Sequence, residues 1–209
     1  MTLTKHLIKP SVLVVGDNFQ VQNIFSAKGY RILYENDKKA NPDLVIFTGG
    51  EDVDPFLYGE NKLEQTSINK RRDDRESAIF QRFLYKPKIG ICRGGQFLNV
   101  LSGGAMWQHV DKHGLSGTHV AIDLLTGIPV DVTSTHHQMM IPGEDGEVIA
   151  IADEATTFIS DKKDREKPIF DTEVVWYDTT NSLCFQPHPE YSSAKSTREY
   201  FFNLVDFFF

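Results

Sequence analysis

The sequence contains few cysteines, no long apolar run and no excess of positive charge. No apolar stretch approaches the ~20 residues needed to span a bilayer. The first ten residues show no secretory signal, so we expect a cytoplasmic protein with no membrane partner. Two cysteines, Cys92 and Cys184, are too few for a disulfide framework and favour a reducing compartment. The formal net charge of −7 argues against a nucleic-acid partner.

The length and composition predict one globular domain over residues 1–209. Hydrophobic residues make up 40% of the chain and charged residues 24%, as in ordinary folded domains. Apolar runs at 11–15 and 43–47 predict buried strands, and the segment at 19–28 between them predicts an amphipathic helix. This alternation predicts a parallel sheet and therefore an α/β fold. Later short segments predict a small, partly antiparallel extension, and a helix at 193–208 is expected to cover one face.

Cys92 lies in the pattern Gly-x-Cys-x-Gly, at residues 90–94. The apolar run before it predicts a strand, and residues 95–101 after it predict a helix. A sharp turn between the two would raise Cys92 above the sheet, and the two glycines would let the backbone pass closely. Amides at the helix N-terminus would stabilise negative charge on the sulfur. The pattern predicts a nucleophile, although a cysteine that ends a buried strand is often an inert core residue.

A base for Cys92 is available at the end of a later predicted strand, in the segment 187–190. Residues two apart in an extended chain face the same side, so His188 and Glu190 are expected to point into one pocket. The prolines on both sides of the histidine restrict its backbone. Nucleophile, base and orienting acid together predict a triad in which cysteine replaces serine. Cys184, inside the apolar run of the same strand, is expected to be a core residue.

No metal site and no cofactor are predicted. Asp52 and Asp54 follow the third strand, but no third ligand stands at a useful spacing. The histidines outside the predicted triad show neither a His-Glu-x-x-His nor a Cys-x-x-Cys spacing. These histidines are His109, His113, His119, His136 and His137. Gly49 and Gly50 give backbone amides the freedom that an oxyanion-binding loop requires, although a plain glycine turn has the same composition.

Three segments in this order resemble the class I glutamine amidotransferases, and most closely their γ-glutamyl-GABA hydrolase branch. The first is the loop Gly49-Gly-Glu-Asp-Val-Asp-Pro55 with Leu57-Tyr-Gly-Glu60. The second is Gly90-Ile-Cys-Arg-Gly94-x-Gln96 with Asn99 and Gly103-Gly104, and the third is His188-Pro-Glu190. Also similar to that branch are Arg72-Asp73 with Glu76, and Ser134-Thr-His-His-Gln138. The resemblance extends from the third strand to the His-Pro-Glu segment, which is most of the chain.

The resemblance implies a flavodoxin-like three-layer α/β sandwich with a mostly parallel central sheet, and a Cys-His-Glu triad. Cys92 would attack the γ-carbonyl of glutamine or of a γ-glutamyl amide, His188 would move the proton, and Glu190 would orient His188. The backbone amides of Gly50 and Arg93 would hold the oxyanion. A γ-glutamyl thioester would form, ammonia or an amine would leave, and water would release glutamate. The partner implied is a small γ-glutamyl substrate.

The resemblance also implies which residues line the glutamyl pocket. They are Gly49, Gln96, Ser134, Thr135, His136, His137 and Gln138. The sequence departs from the branch at two shortened loops, near 60–70 and 161–167, and at Gly95, where a bulkier side chain is common. These departures leave the identity of the amine open, because they bear on the leaving-group side of the pocket.

Three other interpretations stay open. One is a glutaminase subunit that passes ammonia to a separate synthetase, since the chain carries no ATP-binding motif. Another is a catalytically silent module that binds γ-glutamyl compounds, against which the intact Cys92, His188 and Glu190 argue. The third is an α/β-hydrolase fold, but there the acid normally precedes the histidine, whereas Glu190 follows His188. The sequence predicts no particular oligomeric state.

Overall fold

The computed structural model of the chain describes residues 9–16, 18–114, 117–152, 158–162, 165–166 and 168–209. The segment 1–8, which the prediction about a secretory signal concerns, lies outside the described residues. So do Thr157 of a predicted strand and parts of the predicted charged turn at 161–167. Within the described ranges, no helix combines the length and the apolar character needed to cross a bilayer.

Helices and strands alternate in the first half of the chain, and short strands dominate the second half. The α-helices are α1 (Phe19–Ala27), α2 (Lys70–Arg82), α3 (Arg93–Leu101) and α4 (Lys195–Phe208), and Pro55–Tyr58 forms a 3₁₀ helix. The strands are β1 (Ser11–Val15), β2 (Arg31–Leu33), β3 (Leu44–Phe47), β4 (Lys88–Ile91), β5 (Ala105–Trp107), β6 (His109–Val110), β7 (Gly117–Asp123), β8 (Pro129–Ser134), β9 (Met139–Ile141), β10 (Glu147–Ala152), β11 (Phe158–Ile159), β12 (Asp171–Tyr177) and β13 (Ser182–Phe185).

Nine strands form one sheet, in the order β2-β1-β3-β4-β13-β12-β10-β7-β8. The first five strands are parallel to one another, and each later strand is antiparallel to its neighbour. The order of the parallel strands is that of the flavodoxin-like sheet, which confirms the predicted fold class. The antiparallel extension has four strands, so it is larger than the sequence suggests.

Alternate side chains of the parallel strands pack against helices on opposite faces of the sheet. On β1, Val12 and Val14 belong to a core that includes α1 and α4, whereas Leu13 and Val15 belong to a core that includes α2 and α3. A sheet covered on both faces needs apolar residues at every position, which explains the continuous apolar runs. The result is the predicted three-layer sandwich.

The carboxyl ends of three adjacent parallel strands lie side by side at one edge of this sheet. Phe47 of β3 is opposite Gly90 of β4, and Ile91 of β4 is opposite Phe185 of β13. The segments that follow these strands contain the Gly49–Gly50 loop, Cys92 and His188. Loops at the carboxyl edge of a parallel sheet are where ligands bind in open α/β folds. Sheet topology therefore brings the separate predicted site segments together.

Two strand pairs lie outside the main sheet, and of their four strands only β11 falls where the sequence predicts a strand, at 157–160. β5 pairs with β9, and β6 pairs with β11, both antiparallel. Each of these strands has only two or three residues. A strand of that length shows no alternating pattern, so tertiary pairing and not local sequence defines it.

A lysine in the parallel sheet yields a test of how burial affects stability. Lys88 on β4 is buried, and its Nζ donates hydrogen bonds to the carbonyl oxygens of Phe83, Leu84 and Lys86 at 3.2, 2.7 and 2.8 Å. Burial lowers the pKa of Lys88 to about 8. Between this value and the higher pKa of an unfolded lysine, the unfolded chain binds more protons than the folded chain.

The contribution of Lys88 to stability should therefore increase as the pH rises from about 8 to about 10.5. We expect the difference in unfolding free energy between wild type and Lys88→Met to shift in favour of wild type across this interval. Urea unfolding of both proteins at pH 7 and at pH 10 measures this difference in unfolding free energy. Lys195→Met, at an exposed position, is the matched control and should show no such shift. A pH-independent difference for Lys88→Met would contradict the prediction.

Candidate active site

Cys92 occupies a tight turn between β4 and α3. Its backbone has φ 52° and ψ −115°, a conformation that side chains rarely adopt. A methyl group added at Gly94 would lie 2.1 Å from the carbonyl oxygen of Phe47, and one at Gly90 would lie 2.2 Å from the carbonyl of Gly94. Both glycines are therefore required for the close passage of the backbone. The turn has the strained geometry expected of a nucleophile elbow.

Replacing Gly94 with alanine should destabilise the protein by about 3 kcal/mol or more, because the new methyl group meets backbone and not a movable side chain. Chemical unfolding monitored by circular dichroism measures the change. Gly114→Ala is the matched control, since its nearest neighbour, the carbonyl oxygen of His136, would lie 3.8 Å away. Equal stability of the two variants would show that the elbow tolerates a side chain.

His188 and Glu190 form a rigid pair directly after β13. The Nδ1 atom of His188 lies 2.7 Å from Glu190 Oε1, so an ionised carboxylate accepts the Nδ1 hydrogen. The imidazole stacks on Tyr191 with ring centroids 4.5 Å apart. The backbone amide of His188 donates to Thr133 Oγ1 at 2.6 Å. These contacts hold the ring orientation and leave Nε2 free to face another group.

The side chain of His188 lies beside Cys92, although 96 positions separate them in the chain: a methyl group at Gly49 would lie 3.1 Å from His188 Cε1 and 3.7 Å from Cys92 Cβ. Burial opposes the charged form of His188, but the neighbouring Cys92 sulfur and the Glu190 carboxylate raise the pKa of His188 to about 11. The imidazole therefore holds a proton at neutral pH while it faces the sulfur. A proton held beside a sulfur is the arrangement that amide cleavage by cysteine needs.

The Gly49–Gly50 loop approaches the sulfur from the adjacent strand. A methyl group added at Gly49 would lie 3.1 Å from His188 Cε1 and 3.7 Å from Cys92 Cβ. Gly50 has φ +151°, and a methyl group there would collide with Arg72 Nη1. Across the site, Arg93 is the first residue of α3, a position where a backbone amide has no partner within the helix. The predicted oxyanion residues thus flank the elbow.

Arg93 carries a buried ion network from the elbow to α2. Its guanidinium pairs with Asp73 and with Glu76, and all three side chains are essentially inaccessible to solvent. Glu76 is shared, because Arg72 Nε donates to its other oxygen at 2.7 Å. A network in which each charge has a partner avoids the desolvation penalty of an isolated buried charge. It fixes the start of α3 relative to α2.

The same network reaches the glycine loop through Arg72. Its Nη2 atom donates to the carbonyl oxygens of Thr48 and Gly49 at 2.8 and 3.0 Å. Both halves of the predicted oxyanion site are therefore connected through Glu76. The sequence contains a signal for this role, since Arg72 and Glu76 have the i, i+4 spacing of a helical ion pair.

The residues predicted to line the glutamyl pocket fall into two groups. Ser134, His136 and Gln138 are buried, and their side chains face the interior. Thr135 and His137 alternate with them and are partly exposed; His137 Nε2 lies 3.0 Å from Asp52 Oδ1. The alternation follows from the extended backbone in which successive side chains face opposite sides.

Two glutamines connect this region to the sulfur. Gln96 is buried and donates through Nε2 to Gln186 Oε1 at 3.1 Å and to the carbonyl oxygen of Gln138 at 3.3 Å. Gln186 Nε2 in turn lies 3.6 Å from Cys92 Sγ. Sequence reasoning does not single out Gln186, although its position two residues before His188 places it on the same side of the chain.

A cavity of about 600 Å³ opens beside the site, and Cys92 and His188 do not line it. Its walls include Thr48, Gly49 and Arg72. Only 8% of Cys92 and 9% of His188 are exposed, so both residues are largely shielded from solvent. Cys184 is a fully buried core residue, as predicted, and burial raises the pKa of its thiol. Both cysteines are free thiols.

A flavodoxin-like sheet with a cysteine elbow beside a histidine–carboxylate pair is the architecture of a glutamine amidotransferase-like protein. The sequence profile of the Peptidase C26 family matches residues 38–168, and the chain belongs to this family. The predicted resemblance is therefore confirmed.

Relatives in the family carry names of the same kind. A YvdE homologue of Lactococcus lactis subsp. cremoris, described as glutamine amidotransferase-like, is 33% identical over 147 residues, which are 56% of this chain and 78% of the relative. A Mycobacterium tuberculosis protein, provisionally named a glutamine amidotransferase, is 36% identical over 108 residues, or 50% of this chain. The matched region spans only 35% of the mycobacterial protein.

Solved structures share the fold over nearly the whole chain. A protein from Thermoplasma acidophilum, provisionally described as one subunit of a GMP synthase, matches 97% of this chain and 96% of its own, with a TM-score of 0.68 and 15% identity. PurLQS from Thermotoga maritima matches 96% of this chain and 99% of its own, with a TM-score of 0.62 and 16% identity. At this level of identity the likeness shows the fold alone.

Proposed function

We propose that the protein hydrolyses glutamine or γ-glutamyl amides, with Cys92 as nucleophile, His188 as proton carrier and Glu190 as orienting acid. One observation carries the proposal: His188 lies beside Cys92 and pairs through Nδ1 with Glu190 at 2.7 Å. The three side chains come from two segments far apart in sequence, so their contact is a property of the fold. Nucleophile, base and acid in this order make a triad.

In the first half of the reaction, the Cys92 sulfur forms a bond to the γ-carbonyl carbon, and the carbonyl π electrons move to oxygen. The amides of Gly50 and Arg93 donate hydrogen bonds to this oxyanion, each of which typically stabilises a transition state by about 3 kcal/mol. The oxygen then re-forms the double bond as the C–N bond breaks. His188 gives its proton to the departing nitrogen, which leaves as ammonia or an amine. The product is a γ-glutamyl thioester.

In the second half, water attacks the thioester carbon while His188 accepts one of its protons. A second oxyanion forms and collapses, the C–S bond breaks, and glutamate leaves with the sulfur restored as a thiolate beside protonated His188. Glu190 keeps Nδ1 as the donor side of the ring in both halves, so that Nε2 carries the moving proton. No step needs an additional cofactor.

The proposed glutamyl pocket uses the predicted residues in two ways. Gly49, Thr135 and His137 form the accessible side of this pocket, because Gly49 approaches the sulfur and the other two are partly exposed. Gln96, Ser134, His136 and Gln138 are buried and support the wall from behind. The free thiols of Cys92 and Cys184 are consistent with a reducing compartment, and we place the protein in the cytoplasm.

A second proposal is that the chain is a glutaminase subunit that delivers ammonia to a separate synthetase. The solved structures with this fold include one described as a GMP synthase subunit.

An assay of the purified chain discriminates between the two proposals when ammonia release from glutamine and amine release from γ-glutamyl amines are measured separately. Fast cleavage by the chain alone supports the free-standing hydrolase, whereas slow glutamine turnover that rises with a synthetase supports the ammonia-delivering role. Absence of both activities and of Cys92 labelling by a glutamine-like electrophile would support a silent binding module.

Glu190→Gln should lower kcat/KM for γ-glutamyl amide cleavage by about 10³- to 10⁴-fold, since an amide does not stabilise the imidazolium form of His188. Steady-state kinetics measure the loss. Glu199→Gln, in an exposed pair with Lys195, is the matched control and should keep full activity. Wild-type kinetics in Glu190→Gln would remove the carboxylate from the mechanism.

A further inference from the structure

A buried carboxylate lies among three histidines, away from the triad. Glu173 on β12 is fully buried, and its Oε1 atom lies 3.1 Å from His119 Nε2, 3.8 Å from His113 Nδ1 and 4.0 Å from His136 Nε2. One ligand atom each from His113, His119 and Glu173 lies within 4.8 Å of the other two. The residues come from β7, β12 and the segments before β7 and after β8, so the fold alone assembles them.

Hydrogen bonds to the outer ring atoms orient two of the imidazoles inward. His113 Nε2 lies 2.7 Å from Asp171 Oδ2, so the carboxylate accepts its hydrogen and Nδ1 keeps the lone pair. His136 Nδ1 lies 2.8 Å from the carbonyl oxygen of Gln138. Because a carbonyl oxygen can only accept, Nδ1 carries the hydrogen and Nε2 keeps the lone pair. In both rings the lone pair faces Glu173. Metal-binding histidines characteristically donate their other N–H to a carboxylate or a backbone carbonyl.

The carboxylate at the centre lacks hydrogen-bond donors. Within the described ranges, neither oxygen of Glu173 accepts a hydrogen bond, and His136 Nε2 has no hydrogen-bond partner either. A fully buried carboxylate in that state is unfavourable unless a cation compensates its charge. Ser134 Oγ lies 3.1 Å from His113 Nδ1 and 3.2 Å from the carbonyl oxygen of His113, so its hydrogen can turn to the carbonyl when the Nδ1 lone pair binds an ion.

We propose that His113, His119, His136 and Glu173 bind a divalent first-row transition ion of the Zn²⁺ type. With metal–ligand bonds of about 2.0–2.2 Å, ligand atoms at the corners of a tetrahedron stand about 3.3 Å apart. The three nitrogens lie 3.1, 3.8 and 4.0 Å from Glu173 Oε1. Each of these three distances is within about 1 Å of the tetrahedral spacing. Imidazole and carboxylate ligands without thiolate suit zinc, and also its neighbours in the first row.

The ion would be structural. Four protein ligands close the coordination sphere and leave no position for substrate, which is characteristic of structural zinc. It would join β7 and β12 to the end of β8, where Thr133 Oγ1 accepts the hydrogen bond of the His188 amide. The side chain of His119, 8% exposed, is the most accessible of the four ligands. The argument for the ion does not depend on the proposed amide hydrolysis, although His136 also supports the wall of the proposed glutamyl pocket.

Zinc binding is measured in the Cys92→Ser background, because the thiolate beside His188 is a rival zinc ligand. Chelator-treated protein is incubated with Zn²⁺, desalted and analysed by mass spectrometry for metal content, with thermal unfolding in parallel. About one ion per chain, and a Tm that rises with Zn²⁺, are expected. Glu173→Gln and His136→Asn should each lose stoichiometric zinc, whereas His109→Asn, outside the cluster, should retain it.

Co²⁺ provides a readout that does not depend on the variants folding. Cys92→Ser protein loaded with Co²⁺ should show the strong visible absorption of tetrahedral cobalt without a thiolate charge-transfer band. Folded Cys92→Ser protein that binds neither ion would overturn the proposal and leave Glu173 held by histidines alone. Stoichiometric zinc retained in folded Glu173→Gln would also overturn it, since the ion would then lie elsewhere.

Discussion

Cys92→Ser is expected to reduce γ-glutamyl amide hydrolysis by about 10⁵- to 10⁶-fold, as removal of the nucleophile does in other triad enzymes. A serine hydroxyl at this position remains protonated beside His188, so the attacking anion is lost while the shape of the elbow is kept. Single-turnover kinetics with glutamine and with a γ-glutamyl amine measure the loss. Urea unfolding of the same sample should give a stability close to that of the wild type.

Cys184→Ala is the matched control, because it removes the other thiol of the chain from the strand next to the elbow. We expect it to lower stability by about 1 kcal/mol through lost packing and to keep most of the activity. If Cys92→Ser retained activity, or if both variants lost it equally, the sulfur of Cys92 would have no special role. The comparison separates chemistry from packing.

Glu76→Ala is expected to destabilise the fold by about 3–5 kcal/mol, the range for breaking a buried ion network. Removing this carboxylate leaves Arg93 with Asp73 as its remaining carboxylate partner and deprives Arg72 of its shortest charged contact. Chemical unfolding measures the effect. Asp74→Asn on the exposed side of the same helix, where it pairs with Lys70, should change stability by about 0.5 kcal/mol or less.

The same substitution should lower activity in the population that remains folded. Arg72 holds the carbonyls of Thr48 and Gly49, and Arg93 supplies an amide to the proposed oxyanion hole, so loosening both moves the two donors apart. Activity corrected for the folded fraction should therefore fall by about 10-fold or more. A variant as stable and as active as the wild type would show that the network is dispensable.

The parallel half of the fold could be predicted from the sequence because its central strands are dominated by continuous apolar runs, as in Val12–Val15, Leu44–Phe47 and Ile89–Ile91. Strands β1, β3 and β4 are covered on both faces, so every residue reports burial, and the helix between β1 and β3 has a clear apolar face. In contrast, β5 and β9 have three residues each and are defined by their mutual pairing. The four-strand size of the extension likewise depends on contacts between distant segments.

Predictions about the site divide in the same way. Cys92 could be singled out as a candidate because the chemistry of an elbow needs glycines at fixed local spacing, and His188 and Glu190 because they share one side of an extended segment. The central position of Glu173 could not be found, since its histidine neighbours are 37 to 60 residues away in sequence and follow no regular spacing. Counting histidines by motif predicts no metal site, whereas their arrangement in the folded chain gives the grounds for proposing one.

The central claim is that Cys92 carries the glutamyl group during turnover. Wild-type protein mixed with glutamine or a γ-glutamyl amine, quenched in acid and digested, is analysed by mass spectrometry for a thioester. We expect a mass increase equal to one γ-glutamyl group on the peptide that contains Cys92, and none in Cys92→Ser. Amide cleavage with no such adduct, or with the adduct on Cys184, would contradict the account.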